Sequence, residues 1–168
     1  MNKEIKNAYC FSLRPDIALQ IASSDSSFML YGFDIGYTGL VLIHSAVPES
    51  DRDKDDCLKA FQDSQTDPAC MNSDSIMARA MLAKIVHYKT ESEWERDRET
   101  HGYEKSLEVM TKAFSAEEKG LFGYFFESIE LLEDFVTNVG GEIGEIWKAL
   151  EPPDAAKFRQ AMKSGVVS

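Results

Sequence analysis

The chain has 168 residues, of which 43% are apolar and 11% aromatic, so its length and composition predict one domain with its own hydrophobic core. Eighteen lysines and arginines stand against 29 aspartates and glutamates, which gives a formal charge of -11. A surface of that charge repels phosphate backbones and anionic lipid, so indiscriminate binding to nucleic acid or to membranes is disfavoured.

Cysteine usage and the N-terminal residues predict a reduced, cytoplasmic protein. The three cysteines, Cys10, Cys57 and Cys70, are odd in number and form no Cys-x-x-Cys pair, so neither a disulfide framework nor a zinc site is predicted. Residues 1–6 carry charges with no apolar stretch behind them, and no apolar run reaches the roughly 18 residues of a membrane span. We therefore expect no export, no membrane partner, no metal and no cofactor.

The first third of the chain is predicted to be mostly β. Pro15 suits the first turn of a helix, and the unbroken apolar run before His44 is typical of a strand covered on both faces. The predicted elements are a strand over 8–13, a helix over 14–23, a serine-rich loop over 23–27, and strands over 28–33 and 40–44.

Residues 48–74 form a predicted acidic surface insertion within a core of about residues 8–150. A short helix is expected over 55–62, followed by a turn at Asp67-Pro68. The charge run from Glu49 to Asp56 is more typical of a solvated face than of a binding site.

The pattern over 76–88 is compatible with a helix or a strand, and the resemblance described below favours a strand over its second half. Thr90 and Glu93 form a capping box that predicts a helix from Ser92 to about Thr100, with Trp94 on its buried side. The same signature at 115–118 predicts one or two helical turns. Strands are expected over 123–127 and 131–136, a glycine-rich turn at 140–144, and a last helix over about 152–164.

Five segments, in order along the chain, resemble the ASCH family of the PUA-like superfamily. They cover roughly residues 9–150, and they are Phe11-Ser12-Leu13-Arg14-Pro15, Tyr37-Thr38-Gly39-Leu40-Val41-Leu42-Ile43-His44-Ser45, Leu82-Ala83-Lys84-Ile85-Val86, Gly123-Tyr124-Phe125-Phe126-Glu127 and Gly144-Glu145-Ile146-Trp147.

This resemblance implies an α+β fold, a PUA-like mixed β-barrel flanked by helices, formed by residues 1–168 as a single domain. It also implies a cleft for RNA or a nucleotide-like ligand such as a modified base, lined by the first strand–helix junction, the loop after the first helix and the strand that ends at His44. Bases are held by stacking and by hydrogen bonds to their edges. The expected ligand-binding residues are Ser12, Arg14, Ser26, Tyr31, His44, Ser45, Tyr124 and Trp147, with Phe33 as a further stacking candidate.

The chain departs from the family in the loop after the first helix. That loop usually carries a glycine-x-lysine motif, then a glutamate or threonine and often an arginine, and the corresponding residues here are Ser24, Ser26, Met29 and Tyr31. Serine and methionine supply no group that titrates near neutral pH. The resemblance implies that some members of the family are amidohydrolases that act on acylated cytidine. We predict that this chain is a binding module without that activity, and we assign no catalytic residue.

Each candidate residue also has a structural interpretation. Arg14 is equally suited to a salt bridge with a helix acid such as Asp16, and His44 to a satisfied structural role at a strand end. Aromatic residues at strand spacing more often belong to the core. His101 lies in a helix-to-loop segment, and His87 has no partner that the sequence identifies.

Two other functions remain open. One is a hydrolase or ribonuclease acting on nucleosides or RNA, with Arg14 steadying charge, His44 as base and Ser26 or Ser27 as nucleophile or ligand contact. The other is a protein-interaction domain with a vestigial cleft, in which the acidic insertion or the last helix meets a basic protein partner. A positive cleft would favour the nucleic-acid functions, and a uniformly negative one the protein interaction.

Overall fold

The computed structural model describes residues 9–24, 26–68, 74–114, 119–137 and 139–148. Its strands are β1 (Tyr9–Leu13), β2 (Phe28–Tyr31), β3 (Gly39–Ser45), β4 (Ser75–Tyr88), β5 (Leu121–Thr137) and β6 (Ile146–Lys148). Its helices are α1 (Pro15–Ala22), α2 (Asp51–Asp63), α3 (Glu91–Arg96), α4 (Arg98–His101) and α5 (Leu107–Ala113).

The six described strands form one mixed sheet in the order β2-β5-β4-β3-β1-β6. β1 pairs with β3 in parallel and with β6 in antiparallel fashion, and β2 pairs with β5 in antiparallel fashion. A parallel pair needs a crossover connection, which α1 and β2 supply here between β1 and β3. The predicted α+β class with a mixed sheet is confirmed.

The chain divides into two compact units. The first unit comprises residues 1–26, 40–80 and 128–168, and the second comprises Ser27–Gly39 and Met81–Glu127. Four boundaries separate the units, after Ser26, Gly39, Ala80 and Glu127, and those after Ala80 and Glu127 fall within β4 and β5. The single domain predicted from the length stays a prediction.

In the first unit, β1 and α1 form where the sequence predicts them. Pro15 occupies the first turn of α1, where its missing N–H costs nothing and its fixed φ suits a helix. The helix buries Ala18 and Ile21 completely. Phe11, Leu42, Ile43, Ile76 and Leu132 are also almost completely buried and form much of this unit's core.

The helix in the acidic insertion is longer than expected, because it begins at Asp51 rather than near Asp55. Ser50 caps it, since the Ser50 hydroxyl accepts a hydrogen bond from Asp53 N over 3.1 Å. Aspartates in a first turn also favour the positive end of the helix dipole. The helix buries Cys57 and Phe61 and leaves most of its charged side chains in solvent.

Two sequence expectations about long strands are corrected. β4 is a strand over its whole length from Ser75, although Met77, Ala78 and Ala80 are good helix formers. Pairing within the sheet overrides that local preference. The strands predicted over 123–127 and 131–136 are parts of the single strand β5, which continues through Ser128 at a φ of 50°.

The core of the second unit is largely aromatic. The capping box at Thr90 and Glu93 is present, and it starts α3 at Glu91. Trp94 is completely buried, and its indole N–H donates to the Lys105 carbonyl over 2.9 Å. Around it cluster the buried side chains of Phe28, Leu30, Tyr88, Leu107, Met110 and Leu121.

The helical segment after Trp94 differs from the sequence prediction. One helix to Thr100 is expected, but α3 ends at Arg96 and α4 follows from Arg98. His101 in α4 is buried against Trp94, with ring centroids 3.8 Å apart. Its Nδ1 accepts from Tyr103 N, so its Nε2 donates to the Trp94 carbonyl over 2.9 Å. His101 is therefore a structural residue.

A further helix, α5, was not predicted from the sequence. It begins after Ser106, whose hydroxyl accepts from Val109 N, and it buries Leu107 and Met110. The helical turns predicted at 115–118 and the last helix predicted over 152–164 lie outside the described residues.

Candidate functional site

Ser12 and His44 form a buried polar contact in the first unit. The parallel register of β1 and β3 places these two residues opposite each other. Their side chains meet with Ser12 Oγ 2.8 Å from His44 Nδ1, and both residues are completely buried. The sheet therefore brings together two of the residues that the sequence assigned to the cleft.

Asp74, which precedes β4, extends this contact into a chain of three side chains. Its Oδ1 lies 2.7 Å from His44 Nε2 and accepts a second hydrogen bond from Gly140 N over 3.1 Å. An ionised carboxylate only accepts hydrogen bonds, so His44 donates from Nε2, and in its neutral form it accepts at Nδ1. It follows that the Ser12 hydroxyl donates to His44.

The backbone of Ser12 is held by the glycine-containing segment before β6. Ser12 N donates to the Glu145 carbonyl, and Gly144 N donates to the Ser12 carbonyl, each over 2.9 Å. Gly144 has a φ of 89°, a conformation that favours glycine. Ser12 is thus fixed through both its backbone and its side chain.

The hydroxyl, imidazole and carboxylate follow one another as they do in the catalytic triad of a serine hydrolase. The three groups differ from such a triad in their exposure to solvent. A nucleophile must reach its substrate, and Ser12 and His44 have no exposed surface. The Asp74 side chain is 26% exposed. Its Oδ2 receives no hydrogen bond from any residue that the structure describes.

Arg14, at the end of β1, is engaged by carboxylates. Its Nε and Nη2 donate to Asp16 over 2.6 and 2.9 Å, and its Nη1 lies 3.6 Å from Asp56. The salt bridge to Asp16 that the sequence offered as an alternative is therefore present. The hydrogen bonds that Arg14 donates to Asp16 are the main reason that the pKa of Arg14 is raised, and an incoming phosphate would compete with two carboxylates.

Cys57 of α2 is completely buried near this ion pair. Burial raises the pKa of its thiol, and the charge of Asp16 acts in the same direction. A thiol held in the neutral form is a poor nucleophile. Cys57 is therefore a packing residue.

Tyr31 and Tyr124 lie together in the second unit. Their ring centroids are 4.8 Å apart, and both residues are buried. The Tyr124 hydroxyl donates to the Phe33 carbonyl over 2.7 Å and accepts from Ile35 N over 3.2 Å. The Phe33 ring is tilted against that of Tyr31, with centroids 5.3 Å apart, and Phe33 is 36% exposed, so it is the most exposed ring of the three.

The remaining predicted site residues lie in the first unit. Ser45 is buried at the end of β3, opposite Leu13, and Ser26 is half-buried with its N–H donating to the Gln20 carbonyl. Trp147 lies in β6, opposite Cys10 in the register. The first unit thus holds six of the eight residues, namely Ser12, Arg14, Ser26, His44, Ser45 and Trp147.

Asp74 is the site residue that sequence reasoning missed. It lies at the end of the acidic insertion, where an aspartate is hard to distinguish from the solvated acids before it. The one local signal is its place directly before a buried apolar strand. Its contact with His44 joins residues 30 positions apart and depends on the sheet order.

Two features are absent from the described part of the chain. It contains no group of three or more histidine, cysteine, aspartate or glutamate side chains that could hold a metal ion. None of the helices in the same residues is long and apolar enough to cross a membrane.

Comparison with family models and with curated proteins produced no match. Among solved structures, the chain is similar to the crystal structure of ASCH from Zymomonas mobilis. The TM-score is 0.60 at 12% identity, over 97% of this chain and 99% of that one.

Crystal structures of two mutants of the Zymomonas mobilis protein match as well. For its serine-to-alanine mutant the TM-score is 0.58 at 11% identity, over 96% of this chain and 99% of that one. For its tyrosine-to-phenylalanine mutant it is 0.58 at 10% identity, over 95% and 99%. At these identities the likeness concerns the fold alone, and it agrees with the resemblance in the sequence: the chain has an ASCH-like fold.

Proposed function

We propose that this chain is a non-catalytic binding module that recognises a nucleobase, presented by a free nucleoside, a nucleotide or a short single strand of RNA. The observation that carries the proposal is the Asp74 carboxylate. Oδ1 is held by His44 and by the Gly140 amide, while Oδ2 has no donor among the described residues. The ASCH-like fold supports a ligand of this class.

A carboxylate fixed in this way suits the edge of a base. Carboxylates accept hydrogen bonds from exocyclic amino groups, such as N4 of cytosine, and a flipped or free base exposes that edge. Ser12 and His44 act as positioning residues, because they hold Asp74 without an exposed atom of their own. Arg14 would steady a neighbouring charge only in part, since Asp16 and Asp56 already face it.

The charge of the chain argues for a small ligand rather than a long strand. A net charge of -11 opposes a polyanion, so few phosphates can be neutralised on binding. Binding of an RNA oligonucleotide should therefore depend weakly on salt, with a slope of log affinity on log salt below about two. A steep slope would require a basic surface and would contradict this proposal.

The direct test compares Asp74→Asn with Asp55→Asn. Asp55 is an exposed aspartate of α2, so its substitution changes the charge of the same unit by the same amount. Calorimetric titrations would use cytidine, which carries an amino group, and N3-methyluridine, which has no N–H on its pairing edge. We expect cytidine to bind the parent and Asp55→Asn proteins alike, and Asp74→Asn at least about tenfold more weakly. Equal binding of both nucleosides, or binding of neither, would reject the proposal.

The order Ser12–His44–Asp74 makes a hydrolase the second candidate. A serine-directed fluorophosphonate distinguishes the two functions, because it labels only a nucleophile that a reagent can reach. We expect no labelling of Ser12 and no deacylation of acylated cytidine. Labelling or turnover that disappears in Ser12→Ala would establish the hydrolase instead.

A further inference from the structure

The second unit contains a cleft that the proposed function does not use. It has a volume of about 550 Å³, within the range of about 300–1,000 Å³ that is typical of small-molecule sites. One wall is the end of β4 with the start of β5, and the other is one face of α5. Its lining residues are His87, Tyr88, Lys89, Glu91, Leu107, Glu108, Thr111, Lys112, Gly120 and Leu121.

The floor of the cleft is apolar and tightly fixed. Leu107, Leu121 and Tyr88 belong to the buried core of this unit. The His87 ring stacks on Phe122 with a centroid distance of 4.4 Å. Gly120 makes room for that ring, because a Cβ atom at this position would lie 2.1 Å from His87 Nε2.

Two hydrogen-bond donors in the cleft have no partner among the residues that the structure describes. One is the half-buried His87 imidazole, which makes a ring contact but no hydrogen bond there. The other is the exposed Lys89 ammonium group, which has no carboxylate of the described chain within ion-pair distance. Together they offer a place for an oxyanion.

Carboxylates line the same cleft, and each has one oxygen that accepts no hydrogen bond from the described residues. Glu91 Oε1 accepts from Glu108 N over 3.3 Å, and Glu108 Oε1 lies 3.4 Å from Lys112 Nζ. The ion pair between Glu108 and Lys112 is exposed and therefore weak. Two lysines and two glutamates thus line the cleft, so a simple anion or a simple cation would meet a like charge.

We propose that this cleft binds a small zwitterion with an apolar body, such as an apolar amino acid. His87 and Lys89 receive the carboxylate, Glu91 and Glu108 receive the ammonium group, and the side chain covers Leu107 and Leu121. This site lies wholly within the second unit and does not depend on the nucleobase proposal.

The first experiment titrates the protein with L-phenylalanine, 3-phenylpropionate and phenethylamine, which carry both charges, the anion only and the cation only. Binding is followed through the NMR signals of the His87 ring. We expect L-phenylalanine to bind at least about tenfold more tightly than either of the other two. Equal affinity for 3-phenylpropionate, or no movement of the His87 signals with any probe, would overturn the proposal.

The second experiment uses variants with matched controls. Lys89→Gln should weaken L-phenylalanine binding about tenfold, whereas Lys105→Gln, at an exposed lysine outside the cleft, should leave it unchanged. Gly120→Ala should displace His87 and abolish binding, whereas Gly102→Ala, at a φ of 69° with open space around it, should retain it. If Gly120→Ala fails to fold, the comparison of Lys89→Gln with Lys105→Gln tests the proposal. Unchanged L-phenylalanine binding in Lys89→Gln would refute it.

Discussion

Ser12 lies opposite His44 across the parallel pair of β1 and β3, and its hydroxyl donates a hydrogen bond of 2.8 Å to the Nδ1 of that histidine. The contact is completely buried, so neither group can exchange its partner for water. Buried hydrogen bonds of this kind contribute to stability mainly through the cost of leaving one partner unsatisfied. The pair therefore fixes the ends of two strands as well as the position of Asp74.

The first prediction concerns this contact. Ser12→Ala leaves His44 Nδ1 buried without its donor, so the free energy of unfolding should fall by about 1–3 kcal/mol. Urea denaturation with an unchanged m-value would measure the loss.

Ser75 provides the matched control for Ser12→Ala. It is a second buried serine of the same unit, and its hydroxyl has no hydrogen-bond partner among the described residues. Ser75→Ala removes an unsatisfied polar group, so it should be neutral or stabilising. A loss in Ser75→Ala equal to that in Ser12→Ala would show that the Ser12 effect is one of volume rather than of hydrogen bonding.

The second prediction concerns the start of α3. The Thr90 hydroxyl accepts from Glu93 N over 3.1 Å, so Thr90→Ala should lower the free energy of unfolding by about 1 kcal/mol. Thr90→Ser keeps the accepting oxygen and should retain most of that stability. Thermal unfolding followed through the fluorescence of the protein would report the change. Equal losses in the two variants would contradict a role for the cap.

The third prediction concerns Ser128 in β5. Its φ of 50° is left-handed, which costs an L-residue about 1–2 kcal/mol, and its side chain is exposed. Ser128→Gly removes that cost at the expense of about 0.5–1 kcal/mol of backbone entropy, so a net gain of up to about 1.5 kcal/mol is expected. Ser128→Val, with a β-branched side chain, should destabilise the protein. Chemical denaturation would measure the free energy of unfolding of both variants. If the backbone conformation is the cause, it should rise in Ser128→Gly and fall in Ser128→Val.

The fourth prediction concerns alkaline pH. Burial raises the pKa of Tyr124 from about 10 to about 12, so the folded state holds this proton more tightly than the unfolded state. The stabilisation is complete below about pH 10 and is lost as the pH rises through about 12. The urea midpoint of the parent protein should therefore fall over this interval more than that of Tyr124→Phe. Parallel pH profiles would show that Tyr124 titrates normally.

Local patterns predicted the elements whose signals lie within one segment. Pro15 marked the start of α1, Thr90 and Glu93 marked α3, and the apolar run after Gly39 marked β3. Each of these signals lies within a few consecutive residues.

The missed features depend on contacts between distant segments. A strand was predicted only over the second half of β4; its first half is rich in helix formers and is a strand because neighbouring strands pair with it. Asp74 becomes a site residue only when the sheet brings it to His44. For Arg14, the sequence indicated two roles, a salt bridge with the nearby Asp16 and a contact with a ligand, and it did not distinguish them. The structure contains the salt bridge.

Gly123 limits which substitutions this chain can accept during evolution. A Cβ atom there would lie 2.6 Å from the Phe28 ring and 2.8 Å from the Tyr88 ring, so two large aromatic residues occupy the volume that its side chain would need. Substitution at 123 therefore requires both rings to be displaced or replaced by smaller side chains. Among descendants of this sequence, these three positions should covary: glycine accompanies the aromatic pair, and a larger residue at 123 accompanies changes at both 28 and 88.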